Sequence, residues 1–143
     1  MGLDSIGSSP MFPNMLIMNY IYFANHLRMA IARRNFVFSV AVNQKVLCLI
    51  RMFLKFNIIR RIEKLTPKTY RIYISWYNNH TKLKSLVFYS LGAHPLRISH
   101  AALLVLNTHT YASNIVLSTS RGLLTHREAL KYRLGGILVC IVD

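Results

Sequence analysis

The order of features from position 114 onward leaves few ways to fold the second half of this chain. An apolar run at 114–117 meets Ser118, Thr119, Ser120, Arg121 and Gly122, a compact polar loop. Thr125 and Glu128 follow with capping-box spacing. In that arrangement a hydroxyl and a carboxylate three residues on satisfy each other's backbone N–H groups. A short helix is therefore expected to start directly behind the loop. Gly135 is expected to end it, and the apolar run 137–142 closes the chain as a strand. The polar loop would be held between a buried strand and a capped helix.

Such a loop suits an anionic ligand. Hydroxyls both donate and accept, so they meet phosphates, 2′-hydroxyls and base edges alike. Gly122 removes the side chain that would hold a ligand's backbone away. The free N–H groups and positive dipole end of a helix starting behind the loop would add anion affinity. In extended geometry Ser118 and Ser120 share one side and Thr119 takes the other, so the two serines are the hydroxyls expected to face a ligand. The competing reading is an ordinary turn in which Ser and Thr bond their own backbone.

Charge favours the ligand. Across 143 residues, 18 Lys and Arg stand against four acids, a formal net charge of +14. A charge of that size seeks a polyanion and works against a compact chain left alone. Yet 53% of the residues are apolar, which excludes a solvated basic tail and points to a folded module on nucleic acid. A membrane surface is the rival polyanion. The run 46–59 is interrupted by Arg51 and Lys55, and no apolar stretch reaches the roughly eighteen residues of a transmembrane span.

The chain reads as α+β in two small lobes. Residues 1–13, punctuated by Gly, Ser and Pro, read as a disordered tail without the basic start of a secretory signal. An N-terminal α/β lobe over 14–77 places two helices on a short sheet. The first helix spans 14–34, with Asn14 as N-cap and Leu16, Tyr20, Phe23, Leu27 and Ile31 on one face. Arg33 and Arg34 sit where a helix end favours cations. After a strand at 36–42, Asn43 caps a second helix with Val46, Ile50 and Phe53 inward and Lys45 off that face. Strands at 58–62 and 69–76 flank the turn at Thr66, Pro67 and Lys68, with Arg71 and Tyr73 expected on opposite sides of the second. The polar run 78–81 is the expected boundary. A mostly β lobe over 78–143 follows, with strands at 86–91 and 95–98, a helix-compatible run at 101–106, and the short capped helix.

Enzyme chemistry lacks its parts. The acids are Asp4, Glu63, Glu128 and Asp143, with no evident pair for acid–base work, and no Gly-x-Ser-x-Gly surrounds a serine. Cys48 and Cys140 lie apart in apolar contexts and are expected to be buried thiols, and the six histidines show no ligand spacing with them. No metal or cofactor is expected.

The residues from Ser118 to Ala129, followed by Leu134, Gly135, Gly136 and the closing apolar run, resemble the C-terminal half of the small-subunit ribosomal protein family S-eight. That family carries S-T-S-[KR]-G, two aliphatics, a short Ala-containing helix and L-G-G before a final strand. The resemblance runs upstream to Pro95, Arg97 and Ile98, where the family has Pro-Gly-x-Arg-x-Tyr, while Leu27 and Arg28 stand in its Arg-Ile-Arg-Asn helix. Met29 replaces the family's Asn, Ser99 its Tyr, and 101–106 departs from a charged, Pro-containing segment. The resemblance implies a structural constituent of the small ribosomal subunit that binds the central domain of its RNA beside neighbouring ribosomal proteins. The implied contact loop is Ser118, Thr119, Ser120, Arg121 and Gly122. Arg28, Arg33, Arg34, Lys45 and Arg97 are the cations expected to support it. Abundant Ile, Leu, Phe, Tyr and Asn with few acids fit an organelle-encoded protein and favour a mitochondrial ribosome, with a plastid or the bacterial cytoplasm as the alternative. An RNA-binding or assembly factor outside the ribosome, or a basic protein lying on a membrane, are the alternatives.

Overall fold

The computed structural model describes residues 8–89, 95–109 and 113–143. It is an α+β protein whose chain divides into two units, Met18–Lys84 and Ser85–Asp143, the second counted with the chain start through Ile17. The polar run 78–81 therefore stays within the first unit.

Helix α1 (Ser8–Ala32) begins before Asn14, which is an interior residue and not the expected N-cap. Pro10 does not stop it, because the N–H groups of a first helical turn have no acceptor to lose. The tail expected over 1–13 is thus helical from Ser8, and its first seven positions lie outside the described residues. Tyr20, Phe23 and Leu27 are buried as expected, with Ala24 and Ala30 beside them. Strand β1 (Val37–Ala41) leads to α2 (Gln44–Lys55), whose N-cap Asn43 accepts the Val46 N–H at 2.9 Å. The Phe23 ring lies 6.0 Å from Phe53 of α2 and 6.2 Å from Phe38 of β1, so one aromatic side chain ties both helices to the sheet.

That sheet adds β2 (Ile59–Lys64) and β3 (Thr69–Ile74) in the antiparallel order β1-β3-β2. Val40, Ile72 and Ile74 are buried. Arg71 and Tyr73 are two positions apart and so share the other face, against the expectation of opposite sides. On that face the Arg61 guanidinium lies 3.8 Å from the centre of the Tyr73 ring, and Arg71 pairs with Glu63 directly across the strands at 2.8 Å.

The second unit is organised around β8 (Gly136–Val142). Strand β4 (Leu86–Phe88) pairs with its C-terminal half and β5 (Arg97–Ile98) with its start, while β6 (Asn114–Thr119) runs along its other edge. Where only a loop was expected, β7 (Gly122–Thr125) completes a hairpin with β6. Among the described residues the lobe has two helices where one was expected. The run expected to be helix-compatible forms α3 (His100–His109), started by Ser99, whose hydroxyl accepts the Ala102 N–H at 3.2 Å. Its Leu103 is buried with Ile115, Leu117 and Leu138 and with Ala129 of α4 (His126–Lys131).

Gly135 does not end α4. That helix stops at Lys131, with Tyr132 as cap and Arg133 in the left-handed conformation at φ 58°. Leu134 N–H then reaches Ala129 O and Arg133 N–H reaches Leu130 O, a Schellman closure. The two glycines serve strand contact instead. A Cβ on Gly135 would lie 2.5 Å from Ile98 O, and one on Gly136 would lie 2.6 Å from Ser118 O. Both partners are backbone atoms of neighbouring strands and cannot swing aside. Gly136→Ala is accordingly expected to cost about 1–3 kcal/mol through forced strand displacement. A urea midpoint equal to that of the unmodified chain would show that the strands yield freely.

Candidate nucleic-acid interface

The hairpin β6–β7 places the expected loop at the rim of the second sheet. Thr119 pairs with Gly122, leaving Ser120 and Arg121 as a two-residue tip, and the positive φ of 94° falls on Gly122. Any L side chain would be strained at that φ, so Gly122 is required by the turn. No atom lies near where its Cβ would stand, so space is not the constraint.

The expected division of the three hydroxyls is not kept, since Thr119 lines one groove with the two serines. Thr119 Oγ1 donates to Gly122 O at 2.9 Å and accepts the Arg121 N–H at 3.1 Å, so its one hydroxyl proton is spent on the turn. Ser118 is exposed on the strand. Ser120 is exposed at the tip and is no longer extended, so the two serines face outward without sharing one strand's alternation. A groove of ≈ 750 Å³ brings Ser118 and Ser120 together with Arg97, Ser99, Gly135 and Gly136. Arg97 enters through β5, which reaches the groove because Gly135 and Gly136 let the backbones close on each other. The glycines and Ser99 were not among the expected site residues. The Gly-Gly pair before an apolar run was the legible sign, since glycine at a strand end marks close backbone approach.

Arg121 is not in the groove. Its guanidinium lies over the Tyr132 ring, 4.3 Å from the centroid, which orients the charge at low cost in entropy. Nor does the helix start reinforce the loop. Thr125 pairs with Val116, three rungs from the tip, which places the helix start about 10 Å away along the strand. The capping box is formed as expected: Glu128 N–H reaches Thr125 Oγ1 at 3.2 Å, and Thr125 N–H reaches Glu128 Oε1 at 3.1 Å. A carboxylate therefore occupies that helix end already. The expected contribution of the helix to anion affinity is withdrawn.

The remaining cations belong to the first unit. Arg28 is exposed on α1, with Nη1 donating to Asn25 Oδ1 at 3.2 Å. Arg33 and Arg34 are exposed at its C-terminus, and Lys45 is exposed in the first turn of α2. Arg34 holds φ 57°, and the bonds Arg34 N–H to Ile31 O and Asn35 N–H to Ala30 O close α1 as Arg133 closes α4.

Behind the hairpin sits a residue the sequence did not single out. His126 is fully buried, and its Nδ1 accepts the Ile115 N–H at 3.2 Å. Alongside, Arg127 Nη1 donates to Asn114 Oδ1 at 3.1 Å, so α4 is fastened to the start of β6. Burial, and then the neighbouring Arg127 charge, hold the imidazole pKa below its ordinary value. Of the two thiols expected to be buried, Cys140 is, and burial pushes its pKa up to about 12, whereas Cys48 is exposed. Among the described residues no three His, Cys, Asp or Glu side chains gather into a metal site, and no helix is long and apolar enough to cross a membrane.

No protein-family model matches the chain, and no curated protein matches it.

Two outcomes follow from this geometry. Thr125→Ala removes the cap and is expected to cost about 1 kcal/mol of stability, read as a lower melting temperature. The His126 shift sets a pH dependence. Unfolded His126 takes up a proton near its ordinary pKa of about 6.5, and the folded ring does so only at lower pH. Unfolding therefore binds an extra proton below about pH 6.5, and stability is expected to fall as pH drops through that range. His126→Gln keeps an acceptor for Ile115 and should lose that part of the slope. Equal pH dependence in both chains would assign the slope to other groups.

Proposed function

We propose that this chain is an RNA-binding structural constituent of the small ribosomal subunit, holding the central domain of the subunit's RNA through the groove beside the β6–β7 hairpin. The observation that carries this reading is the convergence of two exposed hydroxyls, Ser118 and Ser120, with Arg97 over the bare backbone of Gly135 and Gly136. Such a surface offers neutral hydroxyl contacts to ribose and base edges in a wide, shallow RNA minor groove, with a cation for the phosphates. Arg121, Arg28, Arg33, Arg34 and Lys45 supply longer-range attraction to the RNA backbone.

A second support comes from the helix ends. Arg34 and Arg133 occupy left-handed positions where glycine would be less strained, and each is exposed. Arginine at such positions suits a use of its charge outside the fold. The ribosomal assignment, with assembly and translation as its setting and other small-subunit proteins as neighbours, follows the S-eight resemblance of residues 95–142. The mitochondrial setting follows composition.

The test is a set of salt titrations on a defined hairpin of small-subunit RNA. If roughly five to eight cations touch phosphates, affinity should fall by orders of magnitude from low to moderately high salt. Ser118→Ala or Ser120→Ala should weaken binding by roughly 1–3 kcal/mol with the salt slope unchanged, because a neutral contact releases no counterion. Arg34→Gly should do the reverse, with a smaller loss and a shallower slope. That variant also relieves the left-handed residue and should raise fold stability by a few tenths to about 1 kcal/mol, so weaker binding cannot be ascribed to unfolding. Serine variants that bind normally would make the hairpin a plain turn.

A further inference from the structure

We propose that the groove formed by Phe36, Trp76 and Tyr77 in the first unit is a second RNA site, which stacks an unpaired base and holds its flanking phosphates with Arg60 and Lys82. Three aromatic side chains crowd this corner, and the fold does not bury them: Phe36 is 69% exposed and Tyr77 is 78% exposed. The groove they form with Tyr73 is ≈ 480 Å³, room for a nucleobase. Two cations line it and no carboxylate does. An apolar surface fringed only by positive charge fits a flat aromatic ring carried on a polyanion.

The Trp76 and Phe36 rings are held in place, and so is the backbone that carries Tyr77. Trp76 Nε1–H donates to Asn35 O at 2.9 Å, fixing the indole plane, and Phe36 meets it edge to face at 6.0 Å and 75°. Tyr77 stands at the head of a two-residue turn, with Tyr77 N–H to His80 O at 2.7 Å and His80 N–H to Tyr77 O at 3.0 Å. Asn78 and Asn79 at its tip have φ of 50° and 66°, the tight primed geometry that asparagine tolerates. Two consecutive left-handed residues and reciprocal backbone bonds display a large ring to solvent. A stacking platform needs that rigidity, since a ring ordered beforehand loses little entropy on binding. Nearby, Arg61 already stacks on Tyr73, which leaves that ring one occupied face and places a further cation at the groove's edge.

This inference rests on the proposed function only in taking RNA as the ligand, and the two fail separately. Duplex affinity reads the hairpin, whereas Trp76, the one tryptophan in the chain, reports this groove by its own fluorescence. The full chain is titrated with a short oligouridylate, a blunt RNA duplex, and an apolar helical peptide. Oligouridylate should quench Trp76 saturably and the duplex should not. Tyr77→Ala should weaken oligouridylate binding roughly five- to a hundredfold, the range of one lost base stack, while Tyr77→Phe retains it. Because Tyr77 is exposed, the melting temperature of both variants should match that of the unmodified chain. Lys82→Gln should flatten the salt dependence of the quench without removing it. Quenching by the duplex alone, by the peptide alone, or by oligouridylate with undiminished affinity in Tyr77→Ala would each overturn the proposal, the peptide result marking a protein-docking face instead.

Discussion

The second unit depends on how closely the start of β8 approaches its neighbours. Gly135 and Gly136 bring three backbones together where even a methyl group would collide with Ile98 O or Ser118 O. That contact pins β5 to one edge of β8 and β6 to the other, at the end of the sheet where the hairpin turns. Arg97 and the serines meet through this backbone approach. Farther along the same strand the packing changes kind. Leu138, Val139 and Cys140 are buried, and Leu138 joins Leu103, Ile115, Leu117 and Ala129 in an apolar cluster. One strand thus supplies the core at its middle and a side-chain-free floor for the groove at its start.

Several elements were legible because their chemistry is local. Asn43 and Thr125 cap the helices the sequence assigns to them, since an N-cap needs only an oxygen and an N–H two or three residues on. The alternation of Ile72 and Ile74 inward follows from the period of a strand. Other features were hidden because tertiary contacts decide them. Residues Gly122, Leu123, Leu124 and Thr125 show no alternation, and they become β7 only because β6 offers an open edge. Gly135 sits where a helix stop would stand. Yet α4 is closed earlier by Arg133, a residue that no rule of preference nominates for a left-handed turn. The groove serines were identified, whereas Ser99, Gly135 and Gly136 required the register of three strands. The aromatic corner was equally invisible, because Phe36 is distant in sequence from the adjacent Trp76 and Tyr77 and the three belong to no shared periodic face.

The helix ends show a consistent departure from local preference. Three Schellman closures place Arg34, Asn57 and Arg133 in the left-handed region, and none uses glycine. Left-handed backbone costs an L-residue roughly 1–2 kcal/mol relative to its usual conformation, so each position sacrifices some stability. Asparagine offsets part of that with its short polar side chain. Arginine has no such compensation. Sites at which local rules are broken without structural gain are where function is expected to lie.

The acids complete this picture. Of the four carboxylate side chains, Glu63 pairs with Arg71, Glu128 is spent in the capping box, Asp143 is the terminal residue, and Asp4 lies outside the described residues. Eighteen cations therefore have almost no internal counterpart to draw on. A surface ion pair such as Glu63 with Arg71, both about two-fifths exposed, is worth little in itself, and rearranging so few acids could not neutralise the remainder. Self-repulsion then opposes compaction of the free chain, and a bound polyanion removes it. Any ligand that binds only the folded form stabilises it by mass action. On the proposed function, the phosphates that would supply affinity would also relieve the repulsion, so RNA binding and fold stability would rise together.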